Sequence, residues 1–518
     1  MASAISTFLP PLYQNGGIAI TAVLALIVAV VLFAVQSNAA SDRPYEGFPM
    51  VGMDPSIKST LDAKRKWLSS AKSLIYGTLE KSKRPFQVMS GTGPLIILPA
   101  HFMDEVRNDE RMTFAGFLKK DFFTTYPGFE GFRPAVENTV FPASVRIGLT
   151  QTLGSVVQTL NTETMKCLDE LYKPTTEWQA TKFNQDAMRL IARLSARVFL
   201  PEPLCYNEDW LDISVNYTVD FFRGVFALRM IPPLLRPFAH WFLPQCRKAR
   251  QHVETATRII EPEIVARRKR REEALRDGRP VEKTPDALTW MDSAAEKQGT
   301  TLNLVWGQLN YALGAIHTTS MTFIYALYDL IDHPEYIPLL REEIESVWKE
   351  GEPLTKQVLL ELKLMDSFMK ESQRLSPVTL IPINRVADQS VKLSDGTIIP
   401  KGATLGVPVT AMLDESIFPD AHKFNGHRFY EMRQKKGDET KHQFVSTSND
   451  FIAFGHGKHA CPGRFFASNE IKIGLLHLIT RYDFKFPEGQ GKPKPMEIAV
   501  SMSPNPNSEI LYRKRVRT

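Results

Sequence analysis

The sequence predicts a mainly α-helical fold with small β-sheets, set behind one N-terminal membrane-spanning helix. Three observations carry this expectation. Residues 1–41 hold no charged side chain, and 17–35 is apolar apart from one Thr. From residue 61 onward apolar positions recur at helical spacing through one segment after another, with no Gly/Ser/Pro-rich linker between them. Strand and turn signals are confined to 85–98 and to the stretch after Pro377.

A chain of 518 residues is long enough for three domains. The unbroken pattern instead gives an anchor over 1–41, a proline-rich exit segment over 42–60 and one large domain over 61–518. As a helix, 17–35 would rise roughly 28 Å, enough to span a bilayer. A cleaved signal peptide is the alternative, but it wants a basic leader and a shorter apolar core. Lys58, Lys64, Arg65 and Lys66 follow the span, which places the large domain in the cytosol. A net charge of +6 is modest for this size and does not argue for a nucleic-acid partner. Four scattered cysteines (Cys167, Cys205, Cys246 and Cys461) make no disulfide framework.

In chain order, Pro44, Pro49 and Pro55 stiffen the exit from the anchor. An amphipathic helix is expected over 61–81, and a hairpin over 85–98 turning at Gly91 and Gly93. Residues 113–132 read as an aromatic-rich loop. Helices follow over 145–171 and 183–198. In 221–244 the aromatic run is broken by Pro232, Pro233 and Pro237, so two short helices with a lipid-touching loop fit better than a second span. A charged helix over 248–279 and a long apolar one over 302–332 come next, then a helix over 356–375. Strands are expected over 382–391 and 397–408, joined through Ser394-Asp395-Gly396. Last is a helix over 465–481, apolar on one face, and an extended tail.

The chemistry concentrates in 451–470. An apolar lead-in, Phe451 to Phe454, runs into a loop with Gly455 and Gly457, then Cys461, Pro462 and Gly463, and from Arg464 the chain is helix-forming. That sets one thiol at a helix mouth, where unpaired N–H groups favour a thiolate. A thiolate so held suits an axial ligand to haem iron. An inert core cysteine, or a zinc site from His456, His459 and Cys461, are the alternatives; zinc lacks a fourth ligand nearby.

Phe454, Gly457, His459, Cys461 and Gly463 resemble the haem loop of the cytochrome P450 family, Phe-x-x-Gly-x-Arg/His-x-Cys-x-Gly. Further motifs resemble the family in its order. Gly314-Ala315-Ile316-His317-Thr318-Thr319 is similar to its oxygen-activation motif, with His317 in place of the usual acid. Glu371 and Arg374, with Arg428 later, resemble its buried structural triad; Gly426 and His427 replace the usual Pro and Glu before Arg428. The family's Trp-x-x-x-Arg has no Trp here, which leaves Arg146 as the candidate propionate partner beside Arg385. The narrower likeness, from His459 and Ala-Ile-His-Thr-Thr-Ser, is to fungal microsomal members that oxidise terpenoids and other secondary metabolites.

The resemblance implies a cytochrome P450 fold and a haem-thiolate monooxygenase. Cys461 would be the metal ligand. Thr318, His317 and Thr319 would be catalytic, with His317 relaying protons. Arg385, His459, Phe454, Gly457, Gly463 and Arg146 would hold haem. Partners would be NADPH-cytochrome P450 reductase, drawn by Lys458 and other basic residues, a bulky apolar substrate, and membrane lipid. The location implied is the endoplasmic reticulum membrane, single-pass. Thiolate chemistry that rearranges rather than oxygenates is the competing enzymatic reading, and an anchored haem or metal protein without activity the non-enzymatic one.

Overall fold

The computed structural model describes Ala25, residues 41–53, Ile57 and residues 59–516. The expected anchor at 17–35 lies outside these residues apart from Ala25. Among the described residues no helix is long and apolar enough to cross a membrane.

Ten helices frame the molecule: α1 (Thr60–Lys81), α2 (Phe114–Phe122), α3 (Thr150–Leu171), α4 (Phe183–Phe199), α5 (Glu208–Arg229), α6 (Arg236–Phe242), α7 (Pro244–Arg276), α8 (Leu304–Asp332), α9 (Lys363–Leu375) and α10 (Arg464–Arg481). The main sheet uses β1 (Met50–Val51), β2 (Phe86–Ser90), β3 (Gly93–Ile97), β4 (Met112–Thr113), β5 (Ile383–Ala387) and β6 (Thr404–Val407). Its spatial order is β1-β2-β3-β6-β5-β4. β2 and β3 form the expected antiparallel hairpin, with Val88 opposite Leu95. β3 runs parallel to β6, and β5 returns antiparallel with Arg385 opposite Leu405. Smaller two- and three-stranded ladders complete the β content among the described residues.

Two apolar cores result. The larger joins α3, α4, α5, α8 and α10. The smaller lies between α1 and the main sheet. Phe451 and Ile452 belong to the smaller core, while Phe454, three residues on, packs against the larger. The cysteine loop therefore starts at their seam.

Four expectations needed revision. Residues 113–132 are not all loop, because the Thr113 hydroxyl accepts the Gly116 N–H at 3.3 Å and starts α2. The helix ends at Phe123, whose left-handed φ of 52° turns the chain. The expected helix over 356–375 is two, Lys356–Glu361 and α9. The Glu343 carboxylate, arriving from another helix, accepts the N–H groups of Leu364 and Met365 at 2.6 and 3.0 Å and caps α9 anew. α10 is buried all round rather than on one face. Its polar residues have partners inside: Lys472 with Asp366 at 2.7 Å, His477 with Asn161 at 2.6 Å, and Glu470 with Ser195 at 3.0 Å.

In the 221–244 stretch, α5 begins earlier than expected and runs through Phe221 to Arg229; the prolines then open a turn into α6. Phe238, Trp241 and Phe242 of α6 are 68%, 52% and 79% exposed. Residues 41–51 are fastened to the domain. Buried Gln87 donates to the Tyr45 and Phe48 carbonyls at 2.8 and 2.7 Å, and β1 pairs parallel with β2. Asp42 and Lys64 form a buried ion pair at 2.8 Å.

Glu371, Arg374 and Arg428 lie together in the interior. Arg374 grips Glu371 through two bonds of 2.8 Å, and Arg428 Nε sits 3.1 Å from both carboxylate oxygens. The remaining guanidinium N–H groups reach the carbonyls of Met412, Ala421, Pro419 and Asp420. Arg374→Ala would strand a buried carboxylate and several carbonyls, at about 3–5 kcal/mol. Expression of this variant should yield little haem-loaded protein by absorbance; normal loading at normal yield would show that the triad is dispensable.

Candidate functional site

The cysteine loop is shaped by its own backbone. Gly455 and Gly457 take φ of 68° and 77°, and the Cys461 N–H donates to the Phe454 carbonyl at 2.7 Å. A Cβ on Gly457 would meet Asn108 Oδ1 at 2.6 Å, so only glycine fits. Asn108 in turn accepts the Lys458 N–H at 2.9 Å. Arg464, in the first turn of α10, donates to the Cys461 and Val445 carbonyls at 2.8 and 3.0 Å.

Cys461 is half-buried. Burial pushes its thiol up; the Gly463 N–H, the Arg464 charge and the Arg464 N–H pull the other way. Such a thiol ionises when a cation binds it, and the N–H groups are placed to receive the charge. His456 is committed elsewhere. Arg107 has only N–H donors, so His456 Nε2 accepts from it at 2.8 Å, and Nδ1–H donates to Thr447 Oγ1 at 2.9 Å. With both ring nitrogens engaged, His456 is not a zinc partner for Cys461. Among the described residues no group of three or more His, Cys, Asp or Glu is arranged to hold a metal ion.

Beside the loop stands an uncompensated cation. Arg385 is buried, donates to the Asn384 and Arg107 carbonyls at 2.8 and 3.3 Å, and leaves Nε without a partner. Burial alone holds it down to about 10. Burial first, then the charges of Arg385, Lys458 and Arg146, bring His459 down to about 4. The Phe114 ring lies 5.9 Å from the His459 ring and 5.9 Å from the Arg385 guanidinium. Arg146 is exposed on a π-helical turn, Ser144–Leu149, that leads into α3. Three basic side chains thus share one region, and among the described residues no carboxylate pairs Arg385. Anionic groups on a flat, iron-bearing macrocycle would satisfy the orphaned N–H, so these residues fit haem.

The third component is in α8. This helix is buried over most of its length, yet Gly314 and Thr318 are exposed and Ala315 and His317 partly so. A Cβ on Gly314 would meet nothing within 4 Å. The Thr318 hydroxyl donates to the Gly314 carbonyl at 2.7 Å, leaving its oxygen to accept a further bond. Thr319 is buried. His317 Nε2 lies 2.8 Å from the Val215 carbonyl of α5.

Sequence reasoning missed Asn108, Arg107, Arg464, Lys370 and Glu470, and offered His456 only as an alternative zinc ligand. Lys370 directly precedes Glu371; its Nζ donates to the Gln443 and Ser446 carbonyls at 2.8 and 2.7 Å, fixing the approach to the loop. Two charged residues in a helix with this apolar pattern were a signal. For Asn108 and Arg107, some 350 residues away from their partners, no local signal exists.

Residues 82–511 match the family described as Cytochrome P450. The cytochrome P450 monooxygenase bsc2 of Alternaria brassicicola is 37% identical over 467 residues, covering 90% of this chain and 89% of that protein. A cytochrome P450 monooxygenase of Gibberella fujikuroi is 40% identical over 408 residues, covering 78% and 92%. The solved structure "Retinoic acid bound cyanobacterial CYP120A1" superposes with a TM-score of 0.64 over 90% of this chain and 99% of its own, at 18% identity, which speaks to fold alone. With the fold, the cysteine loop and relatives matched over most of both lengths in agreement, the chain belongs to the cytochrome P450 family of haem-thiolate monooxygenases.

Proposed function

We propose that the chain oxygenates a bulky apolar small molecule of fungal secondary metabolism, of the terpenoid kind, with electrons from NADPH-cytochrome P450 reductase. The observation that carries the site is buried Arg385, whose orphaned Nε has no carboxylate to meet. In this reading Cys461 holds the iron, Arg385, Arg146 and His459 receive the propionates, and Phe454, Gly457 and Gly463 shape the cradle. Haem bound through the Cys461 thiolate would supply O2 activation here, one oxygen atom entering a C–H bond and the other leaving as water with two electrons from the reductase and two protons.

The protein's part is to orient, dry and protonate. Phe117, Phe122, Phe132, Phe221 and Phe222 make a connected aromatic array, with ring centres 5.1–6.2 Å apart. It supplies apolar surface for a bulky substrate and excludes water. Thr318 Oγ1 offers an acceptor on the accessible stretch of α8 and can pass a proton from a water to the reacting oxygen, with Thr319 alongside. The apolar segment 17–35 would anchor the domain to the endoplasmic reticulum membrane on its cytosolic side, and α6 would add a second lipid contact. In support, the Asp42 carboxylate acts on the Arg236 guanidinium at the start of α6, the helix that carries the exposed aromatics.

Cys461→Ser should abolish turnover and the red-shifted absorption of the reduced carbon monoxide complex; retained thiolate-type absorption would refute the ligand assignment. Thr318→Val should keep haem but raise peroxide and lower product per NADPH, a loss on the order of 2–4 kcal/mol in the productive step. Product from cells co-expressing a reductase should carry oxygen-18 from labelled O2; unlabelled product would favour rearrangement. Deleting residues 1–40 should leave partial sedimentation with phosphatidylcholine vesicles at low salt, abolished by adding Trp241→Asp and Phe242→Asp. Complete release by the deletion alone would remove α6 as a contact.

A further inference from the structure

We infer that His317 is a positioning residue, a neutral imidazole that ties α8 to α5 and so fixes the roof over Thr318, rather than a proton relay. The inference rests on the haem-site reading above for what that roof covers.

A carbonyl oxygen only accepts, so the 2.8 Å approach of His317 Nε2 to the Val215 carbonyl requires Nε2 to carry the proton. Passing a proton through the ring would need Nε2–H to be surrendered, or Nδ1 to gain a proton and make a cation. Burial disfavours that cation, and the carbonyl bond only partly offsets it. Among the described residues, the polar group acting on His317 is the Val215 carbonyl, and no carboxylate acts on it. Thr318 is turned to its own helix, donating to the Gly314 carbonyl.

The seam crossed by this bond is thin. Ala192 of α4, Ala312 and Ile316 of α8, and half-buried Val215 of α5 form a small apolar cluster of their own, separate from the two large cores. At Val215 itself the packing is confined to two alanines and one isoleucine, so this point of α5 has little apolar interdigitation of its own. The His317 bond adds a directional tie across that seam. Farther along α5, Arg229 pairs with Asp121 at the end of α2. α5, which contributes Phe221 and Phe222 to the aromatic array, packs into the larger core from Trp210 to Leu228, and its Tyr217 hydroxyl donates to the Gly128 carbonyl at 3.0 Å; the His317 bond is the side-chain tie it receives from α8 at this seam.

The test compares His317→Phe, which keeps ring volume but not the donor, with His317→Gln, which restores an N–H at similar reach. Amide hydrogen exchange over 213–219 should speed up about tenfold in the Phe variant, the scale of one net hydrogen bond, and return toward wild type in the Gln variant. Optical titration of the holoenzyme should show clotrimazole, a bulky iron-binding azole, weakened by a similar factor in the Phe variant and recovered in the Gln variant. Imidazole itself should bind all three alike. Unchanged exchange in the Phe variant, or failure of Gln to rescue it, overturns the tether. Exchange does not depend on haem, so a wild-type protein without an azole shift would count against the haem reading and leave the tether to be judged by exchange.

Discussion

The irregular backbone that leads toward the cysteine loop depends on one carboxylate, that of Glu371, held between two guanidiniums in the interior. Alone, such a buried ion group gains little over apolar packing. Its value here lies in what the guanidiniums do with their other N–H groups. They satisfy carbonyls along 412–423, a winding stretch with few backbone partners of its own. One residue earlier, Lys370 serves 443–446 in the same way and lies 3.7 Å over the Phe451 ring. α9 is thus a strut whose polar face organises irregular backbone that neither core could order by burial.

This explains what the sequence could and could not reveal. Long helices came from periodicity, and the loop from the fixed spacing of Phe454, Gly457, Cys461 and Gly463, since both signals are local. The helix α2 was hidden because its aromatic residues are dense enough to blur the period, and its cap is one hydroxyl. The break at Leu362 depends on Glu343, which nothing near 362 announces. Buried charges in α10 read as a solvated face because their partners, Asp366, Asn161 and Ser195, lie on other elements. At the site, the motif positions were legible, whereas the bracing by Arg107, Asn108 and His456 arises only when distant segments meet.

In the proposed haem reading, two arginines stand where the family motif's Trp is missing. Arg146 sits on a π-helical turn ahead of α3, exposed, while Arg385 is buried and without an acid. The two charges come from separate elements, one exposed and one buried. Burial first, and then the neighbouring positive charges, keep His459 neutral, so it does not add to the local repulsion.

The parallel pairing of β1 with β2, the Gln87 clamp and the Asp42–Lys64 pair carry a consequence for how such a chain can be cut and rejoined. The natural seam for exchanging a leader or attaching a tag lies just upstream of Ser41, because Asp42 is already a structural member. A fusion junction placed at the first helix, near residue 60, would leave Lys64 as a lone buried cation and unpair an edge of the sheet. Chimaeras joined before the ion pair would inherit a mounted domain, whereas those joined after it would inherit a swivel.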